Sequence, residues 1–217
     1  ASSPRVDLPR LIEGGMGVGV SGWKLAREVA SLGPLGVVSG TALDTILIRR
    51  LGAGHDAAEI RRALDAFPIP GVAQRVLARY GNPVREEADP AKHAPFPLAS
   101  MPRATMTADR LALIVLANFV EVYLAKSGHS GVVGVNYLHK IQFPTLPGLY
   151  GAMLAGVDVV LMGAGIPAEI PAVLDALAQH KRTRVELDVI DAGDEHFFAE
   201  FEPMELWEEC GKGGGSG

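Results

Sequence analysis

Apolar and polar positions alternate along this chain between two periods. "RLIEGG" opens with a short apolar run, Arg10 to Glu13, that stops at glycines and predicts a first strand. Ser21 stands where a helix N-cap belongs. From Gly22 to Leu32 the apolar residues Trp23, Leu25, Ala26, Val29 and Ala30 recur at helical spacing. Gly33 and Pro34 end that helix, and "LGVVSG" follows as a second strand, apolar on both faces as buried parallel strands are. The rhythm then breaks. Helical patterns cover "TALDTILIRRL", "DAAEIRRALDAF" and "GVAQRVLARYG", and the proline-rich "NPVREEADPAKHAPFPLASMP" from Asn82 to Pro102 predicts an irregular excursion. Residues 41–107 therefore form a helical and then loop-like insertion after the second strand.

Alternation resumes beyond it. A helix is predicted over Ala108–Ser127, closed by Gly128. "GVVGVNYL" is a third strand, "LPGLYGAMLAGV" a helix, "DVVLMGAG" a fourth strand, "AEIPAVLDALAQHK" a helix and "RVELDVI" a fifth strand. Strands alternating with helices imply a parallel sheet, either an open doubly wound one or a closed eight-stranded barrel. "GVGVSG" from Gly17 fits G-x-G-x-x-G, but the second strand ends "VVSG" with no acidic residue for a ribose. The barrel accounts for more. "GGMG", "SG", "VNYL" and "MGAG" all fall at C-terminal strand ends, where barrel sites lie. Small residues there let a flat ligand lie on the strand mouths; each cluster taken alone is also explained by a tight turn.

Composition narrows this only a little. With 48% hydrophobic residues the chain can build a large core. The net charge of -5, carried on scattered charges, argues against a nucleic-acid or anionic-membrane partner. The most membrane-like stretch, Leu111 to Ala125, is shorter than the roughly 20 residues of a span and contains Asn118 and Glu121, so a buried helix is expected. The single cysteine, Cys210, allows no internal disulfide. With no secretion-signal pattern in "ASSPRVDLPR", the expected location is cytoplasmic. No His, Cys, Asp or Glu cluster has ligand spacing, so no metal is predicted.

Three blocks carry a family resemblance: "GGMGVGVSGWKLAREVASLGPLGVVSGTALDT", "ANFVEVYLAKSGHSGVVGVNYLHKIQ" and "YGAMLAGVDVVLMGAGIPAEIP". Together, from about Leu11 to Val189, they resemble the nitronate monooxygenases (2-nitropropane dioxygenases), in a longer bacterial branch. The resemblance implies a TIM-type (β/α) barrel holding FMN at the strand mouths. It also implies oxidation of alkyl nitronates to carbonyl compounds with dioxygen. A sister group with similar motifs works as trans-acting enoyl reductases of polyketide or fatty-acid synthases. Carried over residue by residue, the resemblance makes Gly14, Gly15, Met16 and Gly17 the segment approaching the flavin, with Gly15 leaving room for the ring. Asn136 corresponds to the family's strand-end asparagine, whose amide suits the flavin edge, or else it caps a turn. Gly163 and Gly165 lie at the fourth strand end, near the cofactor cavity.

The Gly-Gly-His stretch that carries the family's catalytic histidine is absent, leaving the catalytic residue unassigned. His55 and His129 do not match it, and His139, just past the third strand, is the best-placed histidine. Glu13 faces the barrel interior or pairs at the rim, and Asp188 and Asp191 are isolated carboxylates. Only about five strands are countable, and residues 210–217, in "EECGKGGGSG", have flexible-linker composition. The expectation over residues 1–217 is therefore the N-terminal part of one α/β barrel, incomplete in this chain. Such a part needs its missing C-terminal half or a second copy to cover its edges, and is inactive towards its small-molecule substrate by itself; the alternative to a flavin oxidoreductase is a non-catalytic barrel fragment that acts by association.

Overall fold

The computed structural model describes residues 9–81, 99–103, 105–191 and 193–212. The strand expected at Arg10–Glu13 is reduced to one parallel bridge, Ile12 to Leu35. Glu13 N–H donates to Leu35 O, and Leu35 N–H to Leu11 O, both at 2.9 Å. Helix α1 spans Trp23–Ser31 and strand β1 spans Gly36–Ser39. Ser21 does not cap α1, since the N-cap is Gly22 and no side chain of its own caps it. The Ser21 hydroxyl is occupied by Glu13 and by Val37 O, and the Trp23 N–H is instead taken by the Glu121 carboxylate at 2.7 Å.

The predicted insertion begins with three helices, α2 (Leu43–Ala53), α3 (Ala57–Asp65) and α4 (Val72–Tyr80). Most of its proline-rich part, 82–98, lies outside the described residues. Helix α5 (Ala108–Lys126) starts at Thr107, whose Oγ1 accepts from Arg110 N–H at 3.3 Å. It is buried nearly all round, in keeping with its largely apolar composition. Asn118 donates back to Ile114 O. Glu121 is paired with Arg50 at 2.6 Å, so neither polar side chain is stranded in the core. Among the described residues no helix is long and apolar enough to cross a membrane.

Strand β2 (Val133–Leu138), helix α6 (Thr145–Leu154), strand β3 (Val159–Gly163) and helix α7 (Ile170–Ala178) complete the alternation. The sheet order is β1-β2-β3, all parallel, with Ser39 opposite Asn136 and Asn136 opposite Leu161. Alternation along each strand gives the sheet two different faces. Val38, Val133, Val135 and Tyr137 point into one core with Trp23 and Ala26 of α1 and Leu113 and Leu116 of α5. Val37, Ser39, Gly134, Asn136 and Leu161 share the other face, over which the loop after Glu13 folds.

The expected fifth parallel strand is corrected by the structure. Strand β4 (Thr183–Leu187) pairs antiparallel with β5 (Phe197–Phe201) as a separate two-stranded sheet, followed by helix α8 (Pro203–Lys212). Val185, Ala199 and Phe201 are buried while Arg184, Glu186 and Glu200 face out, the one-sided alternation of an antiparallel ribbon. The backbone of 210–212 belongs to α8, so the predicted flexible tail begins in a helix; residues 213–217 lie outside the described residues.

Candidate functional site

The C-terminal ends of the parallel strands bring most of the predicted site together. Gly15 turns the chain back over the sheet with φ +59° and is buried. A Cβ on it would collide with Val37 Cγ1 and lie 2.9 Å from Val37 Cβ and 3.1 Å from Asn136 Cβ. The space that a side chain would fill is thus occupied by β1 and β2, not by a ligand ring. This corrects the reading of Gly15 as ring clearance: it is a glycine because of packing and backbone conformation.

Asn136, 8% exposed, fixes the same loop. Its Nδ2 donates towards Gly14 O at 3.2 Å and Gly15 O at 3.4 Å, with Met16 Sδ at 3.1 Å. Its Oδ1 points towards Gly163, lying 3.8 Å from where a Cβ there would be. Met16 is exposed beside it, as are Val18 and Val20, and Gly17 turns with φ +89°. Gly14 and Gly163 meet nothing closer than 3.4 Å in the direction of a side chain, so the surface between them is open. Gly165 serves a different neighbour: a Cβ there would collide with the His139 ring and lie 2.7 Å from Nδ1.

Glu13 makes no ion pair with the described residues. Its carboxylate accepts from the Val37 N–H at 3.0 Å and from Ser21, stitching both ends of the glycine loop to β1. His139 stands on the rim between β2 and β3. Its N–H donates to Gly163 O at 2.8 Å, and its Nδ1 lies 3.9 Å from Asp188 Oδ2. Asp188 is held in turn by Gln142 Oε1, which accepts its N–H at 2.8 Å. His129 is at the opposite end of β2. Its Nδ1 accepts from Gly131 N–H at 3.0 Å, which leaves Nε2 to donate to Ala125 O at 2.7 Å and close α5. His55 is exposed between α2 and α3, away from this rim.

The sequence reading missed the polar pair under the sheet. Tyr137 donates its hydroxyl to Asn118 Oδ1 at 2.8 Å, and burial pushes the Tyr137 phenol far above its ordinary value. The only signal for it was a strand tyrosine facing a helix asparagine, which no spacing rule connects. No family model, curated protein or solved structure matches the chain.

The residues present fit a flavin in part. Open backbone at Gly14 and Gly163, an amide oxygen between them and apolar Met16 suit a flat ring with a polar edge. No cation lies among the loop residues 14–20 or the residues that share Asn136's face, so nothing in this set suits a phosphate.

Proposed function

We propose that the chain is a segment of a (β/α) barrel of the nitronate monooxygenase type. Its glycine loop and strand mouths hold the ring of FMN in an oxidoreductase acting on alkyl nitronates. One observation carries the reading. Among the described residues the sheet is covered by helices on one face only, and its other face carries the glycine loop and Asn136 at the C-terminal strand ends. A doubly wound sheet would have helices on both faces. Bound flavin would supply the redox chemistry. This chain's part is to seat the ring over Gly14 and Gly163 and to present Asn136 Oδ1 to its edge. Among the described residues His139 is the one imidazole on this rim and the candidate to hold a proton beside the substrate.

The enoyl-reductase reading uses the same seat and differs only in what takes the electrons. Association is part of the proposal. Every residue of β3 is half-exposed, and Ile166 and Ile190 are 89% and 90% exposed, so further strands or a second copy are expected to cover that edge.

Titration with FMN, followed by quenching of its fluorescence, tests the seat. Asn136→Ala is expected to weaken binding by about 1–3 kcal/mol through the lost edge contact and the loosened loop. Equal affinity of variant and wild type would remove Asn136 from the site.

A further inference from the structure

Asn136 makes one contact that neither the turn nor a ring edge accounts for. Its side-chain nitrogen lies 3.1 Å from Met16 Sδ, closer than Gly14 O at 3.2 Å or Gly15 O at 3.4 Å. An amide nitrogen carries two hydrogens, so three acceptors share them, and the thioether is the weakest acceptor of the three. Asn136 is buried on β2, whereas Met16 is 57% exposed on the loop above it. One end of the contact is fixed in the sheet and the other is open to solutes.

A methionine sulfur open to solvent is oxidised by peroxides. The sulfur lone pair attacks one oxygen of hydrogen peroxide, the O–O bond breaks, and the departing hydroxide is protonated to water. The thioether becomes a sulfoxide, a polar group whose oxygen is a strong hydrogen-bond acceptor. Met101 and Met204 are also exposed, at 78% and 43%, but neither sulfur is hydrogen-bonded to any described residue, so oxidation there alters only the surface. At Met16 the new oxygen forms beside a buried amide whose other acceptors are distant ones.

We propose that Met16 is a reversible oxidation site and that its sulfoxide latches the glycine loop to Asn136. The sulfoxide oxygen accepts one Asn136 N–H outright and leaves the other to Gly14 O and Gly15 O. The unbranched side chain, exposed as it is, withdraws slightly to make room for the oxygen. The latch needs no ligand and stands without the flavin reading. One consequence does rest on that reading: a polar group replaces the apolar flank of the ring seat, and ring binding weakens.

Treating the full chain with hydrogen peroxide tests the latch. Peptide mass spectrometry locates the sulfoxides, and NMR follows the Asn136 side-chain amide, assigned as the signal pair lost in Asn136→Asp or Asn136→Ala. Met16 should oxidise at a rate within about threefold of that of Met101. The Asn136 pair should shift downfield as Met16 oxidises and return when methionine sulfoxide reductases of both epimer specificities are added. In Met16→Leu the pair should stay in place while Met101 and Met204 still oxidise. The proposal is overturned if Met16 stays reduced while Met101 oxidises, or if the Asn136 signals do not follow Met16. It is equally overturned if they move as far in Met16→Leu, or if the shift outlasts enzymatic reduction. Riboflavin titration reads the consequence: the oxidised chain should bind about fivefold more weakly than the reduced one, with no such change in Met16→Leu. Equal affinity overturns the effect on the seat, and a reduced chain that binds no riboflavin counts against the flavin reading alone.

Discussion

At the scale of single residues, the glycine cluster is the feature that was most legible and most misread. Its place after a short apolar run was clear, although the strand expected there is reduced to the Ile12–Leu35 bridge. Its purpose was not, because which atoms lie over a glycine depends on residues such as Val37 and Asn136 that come much later in the chain. Gly15→Ala is expected to cost about 1–2 kcal/mol for the left-handed backbone and about 1–3 kcal/mol more for overpacking on Val37. Gly54→Ala has a similar φ, +68°, but open space around it, and should show the first cost alone. Urea unfolding of the two variants separates the terms, and equal losses would refute the packing account. Ser21 shows the same limit. It has the right identity and spacing for an N-cap, yet Glu13 and Val37 take its hydroxyl.

Among the elements, the helices were the most readable because their apolar spacing is local. Helix α5 ends within one residue of its expected bound. The partners of helices were not readable: α1 is capped by Glu121, which is 98 residues away in the chain. Glu121→Gln removes the charge that serves both Arg50 and the Trp23 N–H. It should destabilise by about 2–3 kcal/mol, on the low side for a buried pair because Arg50 keeps some contact with water. Thermal unfolding checks this, and a loss below about 0.5 kcal/mol would mark the pair as dispensable. Strand β4 was found but given the wrong partner. The alternation of Arg184 and Glu186 with Val185 was the available sign of a one-faced ribbon, and "FFAEF" supplied its mate. Two tyrosines tie elements together: Tyr137 binds Asn118 of α5, and Tyr150 of α6 receives the Trp207 N–H at 3.0 Å from α8. Burial raises both phenols above their ordinary 10.0, opposed at Tyr150 by the bond from Trp207. A raised phenol contributes its full stability below pH 10.0, and that contribution is lost as the pH climbs towards the folded-state value. Stability should therefore fall above pH 10, less steeply in Tyr137→Phe and Tyr150→Phe. Denaturation midpoints between pH 9 and 11 measure the slope, and parallel slopes in all three proteins would contradict it.

For the whole molecule, the sequence conveyed an α/β chain with a parallel sheet and a helical insertion, and the described residues agree at that level. Which face of the sheet stays free of helices was beyond it, because packing side is set by long-range contacts that periodicity does not encode. The proposed flavin seat depends on that free face. It holds a ring over Gly14 and Gly163 and has no cation for a phosphate among its residues, so the phosphate should contribute nothing to binding by this chain. Oxygen uptake with an alkyl nitronate and added FMN should stay at the level of free flavin, since the Gly-Gly-His stretch is absent and His139 alone is not expected to replace it; robust turnover would show that His139 or another group of this chain suffices. The most direct measurement is a parallel titration of the full chain with riboflavin and with FMN, read by flavin fluorescence. The account predicts saturable binding of both, with affinities within about threefold of each other, the phosphate adding less than ~1 kcal/mol. No saturable binding of either flavin, or binding of FMN alone, would contradict it.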